Sequence, residues 1–170
     1  MRGLGLIIYG VEGIGKTSFC LQFPKPLRCI SVRESGFENL QDIGEVPEGC
    51  SNDYAENWGD LINQIREAPK REDRTVVVDS LSGTGQYMKD DILEEQYGYK
   101  PDRPVTLTTA LKEFNAFSNG WRLDGPVWAE KLEDAGTLLR SKGINIIYIG
   151  HTKIKTSKVA VADDYKAARS

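Results

Sequence analysis

An apolar run near the start of the chain passes directly into a glycine-rich stretch that ends in a lysine and a threonine. The run covers Leu4 to Tyr9, and the residues after it are Gly10, Val11, Glu12, Gly13, Ile14, Gly15, Lys16, Thr17 and Ser18. The pattern G-x-x-x-x-G-K-[ST] is typical of a phosphate-binding loop between a strand and a helix. Its glycines let the main chain turn tightly and present N–H groups to phosphate oxygens. We therefore predict a fully buried strand without alternation, then this loop, then a short helix that begins near Lys16 and ends before Pro24.

Two side chains of this loop have predicted ligands. Lys16 supplies a positive charge for the β- and γ-phosphates of a nucleotide, and the Thr17 hydroxyl is the expected ligand of Mg²⁺. The positive end of the following helix dipole points into the same concavity. The alternative is a glycine-rich turn that carries an incidental lysine. Because a strand precedes the motif and a helix follows it, we expect a nucleoside triphosphate site that takes ATP and Mg²⁺.

Length, charge and cysteine content limit the class of protein. A chain of 170 residues fits one domain, and 39% hydrophobic with 28% charged residues is ordinary for a soluble globular protein. The net charge of −3 argues against a globally basic nucleic-acid binder but leaves local patches open. We predict core thiols for Cys20 and Cys29, no membrane span, and a cytoplasmic location.

Strand-like and helix-like stretches alternate along the rest of the chain. We predict further strands at Arg28–Val32, Thr75–Ser80 and Ile144–Ile149; helices from Trp58 to Pro69, at Gln86–Tyr97, at Thr108–Phe117 and around Trp128, Leu132, Ala135 and Leu139; and an irregular excursion from Phe37 to Asn57. Such alternation predicts an α/β fold with a mostly parallel sheet and helices on both faces.

Polar residues follow the predicted strands at their carboxyl ends, where parallel sheets bind ligands. Asp79 is the expected second partner of Mg²⁺, with a helix cap as the alternative. Glu34 is a candidate general base that orients or deprotonates the attacking water, with a solvated surface glutamate as the alternative. His151, the single histidine, either contacts the γ-phosphate or is structural.

These residues carry a resemblance to the RecA-like P-loop ATPases. Residues 10–17 resemble the phosphate loop of that family, including Glu12, and the strand that ends in Asp79-Ser80 resembles its Asp-Ser strand end. Glu34 matches the family's catalytic glutamate, and His151 matches a polar residue that links the γ-phosphate to a DNA-binding loop. The Gly150-His151-Thr152-Lys153 segment resembles phage-encoded RecA-like ATP-binding proteins of recombination and single-strand annealing.

The resemblance implies partners as well as a fold. Lys153, Lys155 and Lys158 would occupy the position of a loop that contacts single-stranded DNA, and Tyr97, Tyr99 and Trp121 would be available to stack on bases. The alternatives are a solvated face for the three lysines and a Trp121 that anchors its loop to the core. A homo-oligomer with ATP near a subunit boundary is also implied. The expected organisation is a core over residues 1–158 and a flexible tail over residues 159–170. Two features depart from the family: Val32 stands where an aspartate often precedes the glutamate, and the later strands of such cores are missing.

Three classes of function fit these features. The favoured class is an ATPase whose nucleotide state controls binding to single-stranded DNA. The second class is a small-molecule phosphotransferase, a nucleoside or nucleotide kinase, which needs arginines over the acceptor, and Arg103 and Arg122 are available in predicted loops. The third class is a nucleotide-binding assembly module with little turnover. The Asp79-Ser80 and Gly150-His151 strand ends favour the ATPase.

Overall fold

Five parallel strands form the framework of the protein, which a computed structural model describes for residues 1–95 and 125–152. The strands are β1 (Gly5–Gly10), β2 (Leu27–Ser31), β3 (Cys50–Tyr54), β4 (Thr75–Asp79) and β5 (Asn145–His151). The helices are α1 (Lys16–Cys20), α2 (Gly36–Asp42), α3 (Trp58–Glu67), α4 (Leu81–Glu95) and α5 (Gly125–Ser141). No helix in the described part of the chain is long and apolar enough to cross a membrane.

The strand order brings the carboxyl ends of four strands side by side. The order is β1-β5-β4-β2-β3, and all neighbouring pairs are parallel. Gly10 at the end of β1 is in register with His151 of β5, and Ser31 of β2 is in register with Asp79 of β4. The loops after β1, β2 and β4 therefore start from one edge of the sheet, beside the end of β5.

Helices cover both faces of the sheet. On one face, Ile30, Val76, Val78 and Ile146 pack against apolar side chains of α3 and α5, which are Trp58, Leu61, Ile62, Ile65, Leu132, Ala135 and Leu139. On the other face, Cys29, Val77 and Ile147 pack with Cys20 of α1 and Phe37 of α2. The predicted α/β fold is confirmed, and so are helix α3 on its predicted apolar positions and helix α5 on Leu132, Ala135 and Leu139. Asn57 caps α3 by accepting a hydrogen bond from the Asp60 N–H (2.9 Å).

The predicted core thiols are confirmed for Cys20 and Cys29, both of which are inaccessible to solvent. Burial, with a smaller contribution from the charge of Asp79, raises the pKa of the Cys20 thiol to about 12. A thiol that stays protonated at neutral pH is a poor nucleophile. These cysteines therefore act as small apolar side chains.

The prediction of an irregular excursion from Phe37 to Asn57 was wrong, because all but the first residue of α2 and the whole of β3 lie within it. The β3 sequence is Cys-Ser-Asn-Asp-Tyr, which has low strand propensity. Its polar side chains find partners on β2: the Ser31 hydroxyl donates to Asn52 Oδ1 (2.9 Å), and Arg28 donates to Asp53 Oδ2 (3.2 Å). The contacts that stabilise β3 are thus made with residues distant in sequence, and the sheet has one strand more than predicted.

The prediction that β1 is fully buried was also wrong. Among the strands of the described residues, β1 lies at an edge of the sheet, and its side chains alternate between exposed and half-buried. Ile7 and Tyr9 are more than half exposed. The start of α4 also differs from the prediction, because the helix begins at Leu81, directly after β4, and not at Gln86. The predicted helix Thr108–Phe117 and the loops on either side of it lie outside the described residues, apart from residues 125 and 126, which open α5.

Candidate functional site

The loop after β1 has the backbone geometry that its glycines predict. Gly13 and Gly15 adopt positive φ angles of 78° and 83°, a conformation that side chains with a Cβ rarely adopt. A Cβ atom at Gly10 would collide with the Ile14 side chain. Gly13 and Gly15 are therefore required by the loop's conformation, whereas a Cβ atom at Gly10 would displace only the end of the exposed Ile14 side chain.

Lys16 is a buried ammonium group at the centre of this loop, only 7% exposed. Its Nζ donates hydrogen bonds to the carbonyl oxygens of Val11 (2.7 Å) and Gly10 (3.1 Å). It also lies 3.4 Å from Nδ1 of His151. The charge is thus compensated by main-chain oxygens of the loop itself, and a phosphate group entering the loop would compete for the same protons.

Thr17 and Asp79 meet at the edge of the sheet, as their predicted roles require. The Thr17 hydroxyl donates a hydrogen bond to Asp79 Oδ2 (2.8 Å). Burial raises the pKa of the Asp79 carboxyl, and the hydrogen bond from Thr17 opposes that shift in part. A hydroxyl and a carboxylate are hard oxygen donors of the kind that Mg²⁺ prefers. The chemistry of this pair would therefore suit a magnesium ion.

Gly36, the first residue of α2, closes one side of this oxygen pair. A Cβ atom at this position would lie 2.8 Å from Thr17 Oγ1 and 3.2 Å from Asp79 Oδ2. The side chain of any larger residue would therefore push against both of these oxygen atoms. No pattern in the sequence singles out Gly36, and only its position against Thr17 and Asp79 in the folded protein identifies it.

Glu34 reaches the same region from the loop after β2. Arg33, the residue before it, has a positive φ of 58°, which is uncommon for a residue with a side chain. The Glu34 carboxylate accepts a hydrogen bond from the Ser80 hydroxyl at Oε1 (2.9 Å). His151 Nε2 lies 3.2 Å from the same oxygen, although its N–H is not aligned for a good hydrogen bond. Glu34 therefore lies beside Ser80 and His151 at the candidate site, with its side chain only partly exposed.

These groups line one cleft of about 320 Å³. Its lining includes the predicted residues Glu12, Gly13, Gly15, Lys16, Thr17, Ser18, Glu34, Asp79 and His151, together with Asn39, Leu40 and Ile43 of the α2 region. Gly10, Val11 and Ile14 do not line the cleft, but the first two hold Lys16 through their carbonyl groups. The predicted DNA contacts Lys153, Lys155 and Lys158 lie outside the described residues.

A larger cavity of about 450 Å³ lies between the edge strand β1 and helix α5. Its lining is mostly apolar and includes Ile7, Tyr9, Leu132 and Tyr148. A cavity of this kind offers few groups for binding a polyanion. The smaller cleft, which combines a phosphate loop with a buried carboxylate and a lysine, is the candidate site.

A comparison with known families agrees with this geometry at the level of the domain family. The sequence pattern of the family described as "AAA domain" matches residues 2–169. No curated protein matches the sequence. The solved structures that match include a KaiC-like protein from the hyperthermophilic archaeon Pyrococcus horikoshii, which is 16% identical and has a TM-score of 0.45, with 96% of this chain and 68% of that chain covered.

Proposed function

This chain belongs to the AAA domain family, and we propose that it is a magnesium-dependent ATPase. Membership supports nucleotide binding at the loop over residues 10–17. The observation that carries the proposal is the meeting of Lys16, Thr17, Asp79 and Glu34 in one cleft. Each supplies a different requirement of phosphoryl transfer to water: charge compensation, oxygen ligands for a metal, and a base.

The residues divide the chemistry among them. Lys16 leaves the carbonyl oxygens of its own loop and binds the β- and γ-phosphates, while Thr17 and Asp79 would hold Mg²⁺. When bound, the metal would supply positive charge. Glu34 orients a water molecule and accepts its proton while the water oxygen bonds to the γ-phosphorus. The bond between that phosphorus and the β–γ bridging oxygen breaks, and ADP leaves with the electron pair.

Hydrolysis assays of two variants test this proposal. We expect Glu34→Gln to bind an ATP analogue as wild type does but to hydrolyse ATP at least about tenfold more slowly, the low end of general-base assistance. Lys16→Ala should instead weaken analogue binding by roughly 10- to 100-fold, because it removes charge-assisted hydrogen bonds to phosphate. Circular dichroism checks that both variants are folded. Unchanged hydrolysis in Glu34→Gln would assign the base to another residue, and unchanged affinity in Lys16→Ala would contradict the nucleotide site itself.

We extend the proposal to coupling with single-stranded DNA in phage-type recombination. Its support is the sequence resemblance carried by Gly150-His151-Thr152-Lys153 and the lysines that follow. Contacts in the site are consistent with such coupling, because His151 touches Lys16 and Glu34, and the Thr152 N–H donates to the carbonyl oxygen of Gly10 (3.1 Å). The segment after β5 thus begins at the phosphate loop.

The phosphotransferase alternative depends on residues that the structure does not describe. Arg103 and Arg122, the candidates for a lid over an acceptor, lie outside the described ranges. The position of Glu34 supports hydrolysis, because a carboxylate within the cleft can activate water. A panel of nucleoside acceptors in the same assay separates the two: phosphate appears on an acceptor only if the kinase alternative holds.

A further inference from the structure

Ser80 carries a hydroxyl group that contacts neither the phosphate loop nor the Thr17–Asp79 pair. It follows Asp79 at the end of β4 and is completely buried. Its Oγ donates to Glu34 Oε1 (2.9 Å), and the Gly83 N–H approaches the same Oγ from 3.4 Å as a donor. A serine hydroxyl has one proton. Because Gly83 occupies the acceptor side, that proton is committed to Glu34.

His151 makes a second contact with Glu34, at the same oxygen, Oε1, that Ser80 contacts. The Lys16 ammonium can only donate, so its contact with His151 Nδ1 makes Nδ1 the acceptor and puts the proton of the neutral ring on Nε2. Nε2 lies 3.2 Å from Glu34 Oε1. The Ser80 hydroxyl and the His151 ring therefore both approach Oε1.

A general base needs one oxygen that faces the water and keeps a free lone pair. The hydrogen bond from Ser80 to Oε1 restrains the rotation of the Glu34 carboxylate, and it directs the other oxygen, Oε2, away from Ser80 and from the nearby His151 ring. We infer that Ser80 is a positioning residue that holds Glu34 by Oε1, so that Oε2 accepts the proton of the attacking water. This inference rests on the proposed ATPase function and names a residue that acts through Glu34, without touching the nucleotide.

The test compares Ser80→Ala with a matched loss of another buried hydroxyl. Thr84 is also completely buried in the first turns of α4, and its hydroxyl donates to the carbonyl oxygen of Leu81 (2.8 Å), away from Glu34. We expect Ser80→Ala to lower kcat by roughly tenfold and to change KM by less than about threefold, since positioning affects the transition state and not nucleotide binding. Thr84→Val should keep wild-type kcat.

A double substitution shows whether Ser80 acts through Glu34. In the Glu34→Gln background, Ser80→Ala should cause no further loss of kcat, because residues that act as a unit are not additive. Ser80→Cys, which keeps a weak donor of similar size, should fall between wild type and Ser80→Ala, and it replaces Ser80→Ala if that variant does not fold.

The outcomes separate this inference from the proposed function. Equal kcat values for Ser80→Ala and Thr84→Val, or a full Ser80 effect in the Glu34→Gln background, would overturn the positioning role while leaving the ATPase intact. Absence of ATP hydrolysis in the wild-type protein would overturn the proposed function and the inference with it.

Discussion

Asp79 is a residue whose functional form is disfavoured by the fold that holds it. The carboxyl group is 3% exposed, and burial raises its pKa above the usual range for aspartate, despite the hydrogen bond from Thr17. The ionised form that would bind Mg²⁺ therefore costs free energy in the protein without nucleotide. A buried group that destabilises the fold and serves a ligand is typical of functional sites.

This cost predicts that Asp79→Asn stabilises the protein in the absence of nucleotide and Mg²⁺. Asparagine keeps an oxygen that accepts from Thr17 but carries no charge. We expect the free energy of unfolding to increase by about 1 kcal/mol or more at neutral pH, the lower end of the cost of a poorly compensated buried polar group. Urea unfolding with and without Mg-nucleotide measures it, and with Mg-nucleotide the wild-type protein should gain more than the variant.

The pH dependence of this difference has a definite sign. As pH falls through the raised pKa of folded Asp79, the folded protein takes up a proton while the unfolded chain remains ionised. Wild-type stability therefore rises relative to Asp79→Asn, and the gap closes once pH drops below the ordinary aspartate pKa of the unfolded chain. A gap that widened on acidification would contradict the burial of an incompletely compensated charge at this position.

At the scale of secondary-structure elements, Arg28 connects several elements near the amino ends of the strands, at the opposite end of the sheet from the cleft. It is 1% exposed and donates to Asp73 Oδ2 (2.8 Å), to Asp53 Oδ2 (3.2 Å) and to the carbonyl oxygen of Gln64 (2.7 Å). These contacts connect β2 with β3, with α3 and with the turn before β4. Through them, a single side chain ties together elements that are far apart in sequence.

We predict that Arg28→Met lowers the free energy of unfolding by about 3–5 kcal/mol, because it leaves the buried Asp73 carboxylate without its cation. Chemical denaturation measures the change. Arg71 provides the control: its exposed pair with Asp53 (3.0 Å) should contribute less than about 1 kcal/mol, so that Arg71→Ala is nearly neutral. A second change, Asp73→Asn, should recover part of the loss in Arg28→Met. If Arg28→Met and Arg71→Ala lowered the free energy of unfolding equally, burial of the ion pair would not determine its contribution to stability.

The same network explains which elements the sequence could predict. Helices α3 and α5 follow from a local pattern, since their apolar residues recur at helical spacing. Strand β3 does not, because its Asn52 and Asp53 become acceptable in a sheet only through Ser31 and Arg28. The position of strand β1 was predicted correctly but its burial was not. An apolar run does not indicate whether the strand will have one neighbouring strand or two, and the number of neighbours affects how much of it is covered.

At the scale of the whole molecule, much of the candidate site was predictable because the strands of the sheet are parallel. Parallel strands deliver their carboxyl ends to one edge, so Lys16, Glu34, Asp79 and His151 could be expected to converge without any knowledge of strand order. The contacts of Ser80 with Glu34 and of Gly36 with Thr17 and Asp79 could not be expected in this way. They depend on how α2 and the start of α4 are placed across the edge, which no local pattern encodes.

The molecule as a whole also suggests how nucleotide binding would be transmitted. His151 closes β5, contacts the phosphate-loop lysine on one side and Glu34 on the other, and leads into the segment with Lys153. Phosphate binding by Lys16 would remove the partner of His151 Nδ1. A contact made in only one nucleotide state gives differential affinity for a second ligand.

We predict that an ATP analogue tightens binding of single-stranded DNA by some 5- to 150-fold relative to ADP, the usual range of coupling between two sites. His151→Ala should abolish that difference while nucleotide affinity stays within about tenfold of wild type, because the loop and Lys16 remain. Fluorescence anisotropy at one fixed salt concentration measures DNA affinity in each nucleotide state. Lys142→Ala, an exposed lysine at the end of α5, is the control for unspecific loss of positive charge, and it should keep the full difference between the two states.

The result divides the proposal into independent parts, because ATP hydrolysis and DNA binding depend on different residues. If the wild-type protein binds DNA equally with ADP and with the analogue, His151 does not transmit the nucleotide state and its contacts with Lys16 and Glu34 are structural. If it binds no DNA in either state, the recombination role is wrong while the hydrolytic site stands on Lys16, Glu34 and Asp79. If Lys153→Ala weakens DNA binding and flattens its salt dependence while Lys142→Ala does neither, the segment after β5 is the DNA contact, since each phosphate neutralised adds about one unit to the salt slope.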